Sequence, residues 1–179
     1  MIHDVSFAQE TLDSFLEVCN KMGFKRAANV GRRTGGSADR NNLSAYEYIR
    51  TARFLNDMHS YESVKDLGTK LGIWKYILVH YVLQLQRGDF LDIQDDWQKP
   101  IHNKPIGKFF SIALTSKNSI IIDNDTYSVP KYSAIEFSPT KIHEIKPVKD
   151  TNTWMVFMVP QSVNMGDVIN NSIQHYKLI

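Results

Sequence analysis

Residues 109–122, FFSIALTSKNSIII, contain two runs of β-branched and aromatic residues separated by a turn-forming segment around Asn118. Such runs are typical of β-strands, because branched and aromatic side chains pack well on a pleated surface. Similar runs follow toward the C-terminus: YSAIEF (132–137), HEIKPV (143–148) and TWMVFMV (153–159). We therefore expect a core made mainly of short strands.

The strand-like pattern begins near residue 76, and turn-forming residues separate the runs at intervals of about 8–12 residues, as in all-β domains. This spacing predicts a sandwich, a jelly roll or a cupin-like barrel. We expect an α+β, mainly β fold in a single domain spanning 1–179. Its parts are a helical N-terminal layer (1–75), the β core (76–160) and a C-terminal extension (161–179), whose weak periodicity fits a final helix or strand.

Three helices are predicted in the N-terminal layer. Residues 7–22 form an amphipathic pattern with apolar residues at helical spacing. A second helix is predicted over 45–58, with Ser44 as its N-cap and Glu47 completing a capping box. A third, shorter helix is predicted near 61–71. The intervening segment, 29–44, is rich in Gly, Asn and Ser and is predicted to be a loop.

The composition is that of an ordinary globular protein. The chain has 179 residues, of which 42% are hydrophobic and 22% charged, with a formal net charge of +2. The single cysteine, Cys19, cannot form an internal disulfide. The N-terminus does not resemble a signal peptide, and no apolar run is long enough to span a membrane. We therefore expect a soluble, cytoplasmic protein without a membrane partner.

Basic residues concentrate within residues 21–40, a stretch that contains six Lys and Arg residues but one acidic residue, Asp39. The basic loop at 29–42 is either a mobile lid over a site or a solvated stretch. Because no aromatic residue is interleaved with these charges, the segment gives little support for a nucleic-acid partner.

A candidate metal site lies in GDFLDIQDD, residues 88–96. Gln94 and Asp96 are two positions apart and would share one face of a strand. Two oxygen donors on one face can contribute to a metal site, and a third ligand must come from another segment. His143, at the start of HEIKPV, is the natural candidate. Histidine and carboxylate ligands that leave positions open are typical of non-haem Fe(II).

From about residue 83 to 160 the chain resembles the 2-oxoglutarate- and Fe(II)-dependent oxygenases, especially the prolyl-hydroxylase-like branch with its double-stranded β-helix. The resemblance comprises Gly88, Phe90 and the Gln94-x-Asp96 pair, then FFSIALT, then Val129-Pro130 followed by SAIEF, and His143 in a His-x-x-x-Pro-Val context. It implies Fe(II) and 2-oxoglutarate as cofactors. It also implies hydroxylation of a peptide, a nucleobase or a small molecule.

Two positions depart from the family pattern. Gln94 stands where the family has a metal-binding His, so His102 is an alternative ligand. The family places a cation for the far carboxylate of 2-oxoglutarate about ten residues after the distal His, where this chain has Thr153 and then Trp154. No Arg follows Arg87. Three lysines are candidates for the cofactor-binding cation: Lys108, Lys131 and Lys149.

Three functions remain open. The chain is an oxygenase, a catalytically degenerate binding or structural module, or a cupin-type metalloenzyme that does not use 2-oxoglutarate. An oxygenase predicts Asp96 and His143 close together and facing inward. A binding module predicts them apart, or an interior filled by Trp154, Phe110 or Met155. Without a site, Gln94 and Asp96 would be solvent-facing residues, and His143 a turn histidine.

Overall fold

A computed structural model describes the chain in eight segments. They are residues 1–22, 25–26, 53–54, 57–85, 91–93, 107–138, 143–145 and 150–178. None of the helices in these segments is long and apolar enough to cross a membrane.

Strands dominate the described segments, and helices lie near both ends of the chain. In chain order the elements are β1 (Ile2–Asp4), α1 (Gln9–Met22), β2 (Lys25–Arg26), β3 (Arg53–Phe54), α2 (Asp57–Lys70), β4 (Val79–Leu85), β5 (Leu91–Ile93), β6 (Gly107–Ala113), β7 (Asn118–Ile122), β8 (Asp125–Val129), β9 (Ser133–Phe137), β10 (His143–Ile145), β11 (Asn152–Pro160) and α3 (Met165–Leu178). Single 3-10 turns at Ser6–Ala8 and Trp74–Tyr76 precede α1 and β4.

The strands form two antiparallel sheets. The larger has the order β1-β9-β6-β11-β4-β3-β2, and the smaller has the order β5-β10-β7-β8. From β4 onward the chain passes repeatedly between the sheets: β4 is in the larger, β5 in the smaller, β6 in the larger, β7 and β8 in the smaller, β9 in the larger, β10 in the smaller and β11 in the larger. Eight strands wound in this way form a jelly roll, or double-stranded β-helix. The predicted α+β, mainly β fold class is therefore confirmed.

Strand β11 lies between β6 and β4 in the middle of the larger sheet, and residues 152–159 are all buried. Its residues alternate between two apolar clusters. Met155, Phe157 and Val159 belong to the cluster beneath the helices, whereas Trp154 and Val156 belong to the cluster between the sheets. A strand covered on both faces needs an unbroken apolar run, and TWMVFMV supplies one.

The helices cover the outer face of the larger sheet, and their buried side chains complete the first of these clusters. These residues are Leu12, Phe15 and Cys19 of α1, Val64 and Leu67 of α2, and Met165 and Ile169 of α3. Burial raises the pKa of the Cys19 thiol to about 12, partly offset by a backbone hydrogen bond. Cys19 is therefore protonated at neutral pH and packs as a small buried residue.

The helix predicted over 45–58 is only partly right where the structure describes it, since residues 57 and 58 are helical and begin α2. Residues 53 and 54, which belong to the helix predicted over 45–58, form β3 and pair with Gln84 and Leu83 of β4. Residues 45–52 lie outside the described segments. The pairing overrides the local helical pattern because each strand residue gains a partner at the edge of an existing sheet. The helix predicted near 61–71 is confirmed but begins earlier, at Asp57, and the C-terminal extension contains a helix, α3.

Tyr132 joins three elements at one end of the larger sheet. Its φ is 63°, a left-handed conformation that is uncommon for a residue with a side chain. Its backbone N–H donates to the carbonyl of Ala113 at 2.8 Å, and its own carbonyl accepts from the N–H of Val5 at 2.9 Å. Its hydroxyl donates to the carboxylate of Asp13 on α1. Burial, together with the hydrogen bond and negative charge of Asp13, raises the pKa of Tyr132 far above its ordinary value.

We expect Tyr132→Phe to lower the free energy of unfolding by about 1 kcal/mol, since it removes one hydrogen bond to an exposed carboxylate. Urea denaturation provides the measurement. Tyr127→Phe is the matched control, because Tyr127 is 37% exposed on β8. It should change stability by less than about 0.5 kcal/mol. Equal effects of the two substitutions would contradict the role assigned to the Tyr132 hydroxyl.

Candidate ligand site between the sheets

Apolar side chains from both sheets pack together in the interior between them. The buried members of this interior cluster are Leu83, Leu85, Phe109, Ala113, Ile120, Ile122, Val129, Ile135, Ile145, Trp154, Val156 and Met158. They share this face because residues two apart on a strand lie on the same side of the sheet. An interior of this composition suits uncharged, largely apolar groups.

The few buried polar residues on the interior face are uncharged. Strand alternation assigns Ser111, Asn118, Ser133 and Asn152 to this face, and all four are buried. The amide of Asn118 is already bonded to Thr115. Among the described residues, no Lys, Arg, Asp or Glu is buried. A charged ligand would therefore meet no buried countercharge from this part of the chain.

Trp154 is the largest side chain in the interior cluster, and it is fully buried. Its strand neighbours are Leu83 on β4 and Ala113 on β6. Its indole nitrogen, Nε1, is buried and has no hydrogen-bond partner among the described residues. The sequence predicts Trp154 to be a core or pocket-wall residue, which its burial confirms. The unpaired N–H has no signal in the sequence, since it depends on what surrounds the ring.

Only one of the three side chains proposed to fill the interior belongs to it. Trp154 lies in the interior cluster, whereas Phe110 and Met155 lie in the cluster beneath the helices. The reason is the alternation of side chains along a strand. Phe110 is one residue away from Phe109 on β6, Met155 is one residue away from Trp154 on β11, and neighbouring strand residues point to opposite faces.

The candidate metal ligands are placed only in part. Gln94, Asp96 and His102 lie outside the described residues, and His143 is described by its backbone alone. Strand β10 lies between β5 and β7, with His143 opposite Ile93 and Ile122. Thus His143 is paired with the residue that directly precedes Gln94 in the chain. Within the described segments, no group of three or more His, Cys, Asp or Glu side chains could hold a metal ion.

The candidate lysines have different surroundings. The ammonium group of Lys108 lies 2.7 Å from Oε1 of Glu136. Strand alternation assigns Lys108 to the face of Phe110, beneath the helices, so a ligand between the sheets would not meet it. Lys131 is exposed, and its ammonium group lies 4.8 Å from the centre of the Tyr132 ring. Lys149 lies outside the described residues.

Glu136 is the centre of a polar cluster that the sequence did not reveal. His3 Nε2 lies 2.8 Å from its Oε2, and Lys108 contacts its other oxygen. The side chains of His3, Lys108 and Glu136 are only 9%, 13% and 17% exposed. Burial raises the pKa of Glu136, but the hydrogen bonds and charges of Lys108 and His3 outweigh this effect and leave the pKa below its ordinary value. The cluster links β1, β6 and β9 across the outer face of the larger sheet.

Because the pKa of Glu136 is lower in the folded than in the unfolded chain, its contribution to stability is present above its ordinary pKa, 4.5, and is lost as the pH falls through the folded value. We expect the free energy of unfolding to fall below pH 4.5, and Glu136→Gln to make this fall shallower. Urea denaturation between pH 3 and 7 provides the measurement. Glu17→Gln removes an exposed pair with Lys21 and should leave the pH profile unchanged. Identical pH profiles for wild type and Glu136→Gln would refute a lowered pKa of Glu136 in the folded protein.

No protein-family model and no curated protein sequence matches this chain. Solved structures that resemble it include three proteins with TM-scores of 0.37–0.39. The cupin domain of an XRE-family transcriptional regulator from Enterobacter cloacae has 10% identity, covering 45% of this chain and 78% of that chain, with a TM-score of 0.38. An RmlC-like cupin protein from Desulfovibrio desulfuricans has 16% identity, covering 46% and 71%, with a TM-score of 0.37. A predicted oxalate decarboxylase from Thermotoga maritima has 6% identity, covering 61% and 78%, with a TM-score of 0.39.

These similarities do not identify a ligand or an activity for this chain, because all three TM-scores are below 0.4. Two of the three proteins are named as cupins, and all three have identities to this chain of 16% or less. The jelly roll of this chain follows independently from its own strand order, with β9-β6-β11-β4 in one sheet and β5-β10-β7-β8 in the other.

Proposed function

We propose that this chain is a binding module on a jelly-roll scaffold, which holds a small molecule between its sheets and does not use 2-oxoglutarate. The observation that carries the proposal is the buried Trp154, whose indole N–H has no partner within the described part of the interior. A buried polar group with no partner in a jelly-roll interior marks a place where a bound molecule can form a hydrogen bond.

The described residues do not fit 2-oxoglutarate. The oxygenase resemblance assigns the carboxylate-binding cation to the position of Thr153. The hydroxyl of Thr153 accepts from the side-chain amide of Gln84 at 3.5 Å, and its backbone N–H donates to the hydroxyl of Thr115 at 3.1 Å. The adjacent residue, Trp154, carries no charge. Burying a carboxylate without a cation is costly, so the described interior favours an uncharged ligand.

We expect anaerobic wild-type protein to give no visible charge-transfer band on titration with Fe(II) and 2-oxoglutarate. The physical reason is that the described part of the interior has no buried cation to pair with the far carboxylate of the co-substrate. Absorption spectroscopy provides the measurement, and His143→Ala is the matched variant. A band in wild type that His143→Ala abolishes would overturn the proposal in favour of an oxygenase.

A metal-dependent function is the second candidate, because β5 and β10 are directly paired. His143 is opposite Ile93, and Gln94 and Asp96 follow Ile93 in the chain. Asp96 and His143 would supply a carboxylate and an imidazole, the ligand types that hold Fe(II), with Gln94 or His102 as the third ligand. A bound metal would supply Lewis acidity or activate oxygen. A cupin-type metalloenzyme that does not use 2-oxoglutarate would need no cation between the sheets.

If the second candidate is right, Gln94→His should raise the affinity for Co(II), used as a probe for Fe(II), by at least about tenfold, because imidazole is a stronger ligand than an amide oxygen. Absorption titration with Co(II) provides the measurement. In wild type, His102→Ala should weaken binding if His102 is the third ligand and leave it unchanged if Gln94 is. Equal and weak Co(II) binding in wild type, Gln94→His and His143→Ala would exclude this metal site.

A further inference from the structure

We infer that the ligand of the proposed interior site is an uncharged, largely apolar molecule that presents one hydrogen-bond acceptor to Nε1 of Trp154. This inference rests on the proposed function and adds the chemical class of the ligand. Two observations support it independently: the unpaired, buried indole N–H and the uncharged lining around it.

The indole N–H requires an acceptor. Tryptophan is a hydrogen-bond donor only, and a buried donor without a partner loses the hydrogen bond that it would make with water. Most buried donors in folded proteins are paired for this reason. Within the described residues only two buried side-chain nitrogens lack a partner, Trp154 Nε1 and His80 Nδ1. The ring of His80 lies 6.2 Å from that of Trp74, on the side of the sheet that faces the helices, so it is separate from the interior.

The surroundings of Trp154 select against an anion. Its neighbours across the sheet are Leu83 and Ala113, which have no polar side-chain atom. Val156 follows on the same face of β11, and this face continues to Met158. One neutral N–H cannot offset the desolvation of a carboxylate or phosphate, whereas it can pair with a carbonyl, ester or ether oxygen. A ligand with one acceptor on an otherwise apolar body therefore fits both the indole N–H of Trp154 and the apolar side chains around it.

Asn152 supplies a second polar group at the same end of β11. It is buried and lies two residues before Trp154, about 7 Å away along the strand. Val156 and Met158 lie in the opposite direction. The polarity of this strand face thus runs from amide and indole at one end to aliphatic side chains at the other. We expect the acceptor of the ligand to point toward Asn152 and Trp154, and its apolar body toward Met158.

The test compares cyclohexanone with methylenecyclohexane, which have nearly the same shape but differ in the carbonyl acceptor. Full-length protein with 15N-labelled tryptophan is titrated with each probe, and the indole resonances are followed by NMR. Trp154→Phe assigns the Trp154 resonance. We expect a saturable downfield shift of this resonance with cyclohexanone, and an affinity about three- to tenfold higher than for methylenecyclohexane, as one hydrogen bond would give.

The variants separate the hydrogen bond from apolar contact. In Trp154→Phe the two probes should bind equally, because phenylalanine keeps an aromatic ring but has no donor. Trp74→Phe, a matched substitution on the side that faces the helices, should keep the preference for cyclohexanone. If Trp154→Phe does not fold, Trp74→Phe and Trp97→Phe assign the Trp154 resonance by elimination, because the chain has three tryptophans. The shift of this resonance in wild type then decides, because it reports directly on Nε1–H.

Two results would overturn the inference. Equal affinities for the two probes in wild type, with the Trp154 resonance perturbed by both, would show that the ligand needs no hydrogen-bond acceptor. Binding between the sheets would still be supported. Failure of both probes to bind would reject this class of ligand. The proposed function would fail separately, on the appearance of a 2-oxoglutarate chelate band, which does not depend on either probe.

Discussion

The burial of β11 on both faces is the constraint on which the rest of the structure depends. Residues 152–159 have no solvent-facing side, so one set of side chains must pack beneath the helices and the other between the sheets. Neither the helical layer nor the smaller sheet can be removed without exposing one of these sets to water. The apolar area of this strand thus couples the two layers, because its burial is favourable only when both are in place.

The same constraint separates the polar chemistry of the protein into two regions. On the face beneath the helices, Glu136 is paired with both His3 and Lys108, so each oxygen of its largely buried carboxylate has a partner. On the interior face, as far as the structure describes it, the buried polar groups are uncharged, and the indole N–H of Trp154 is unpaired. A satisfied ion cluster fits a structural role, whereas an unsatisfied donor surrounded by apolar groups fits a binding role.

The two candidate functions depend on different sheets. Trp154 belongs to the larger sheet, whereas His143 begins β10 of the smaller sheet, opposite the interior residue Ile122. Strand β10 pairs with β5 so that His143 lies opposite Ile93, the residue that precedes Gln94 in the chain. An uncharged ligand on Trp154 and a metal bound from β5 and β10 are therefore separate hypotheses. Each can fail without the other.

The sequence by itself determined the kind of fold. The runs of β-branched and aromatic residues in FFSIALT and TWMVFMV predict strands because residue composition is a local property of the chain, and α1 follows in the same way from apolar residues at helical spacing. The resemblance to oxygenases also predicted the double-stranded β-helix, which the strand order confirms. The metal ligands Gln94, Asp96 and His143 remain predictions, since the structure describes only the backbone of the last of them.

Only the tertiary structure decided which partners distant residues meet. Residues 53 and 54 lie in a segment with a helical pattern but form a strand, because β4 offers them an edge to pair with. Lys108 is a candidate for a cofactor carboxylate by its charge, yet it is held by Glu136 from a neighbouring strand. The unpaired N–H of Trp154 depends on side chains from several strands at once. Such contacts join residues far apart in sequence, so no local sequence pattern can predict them.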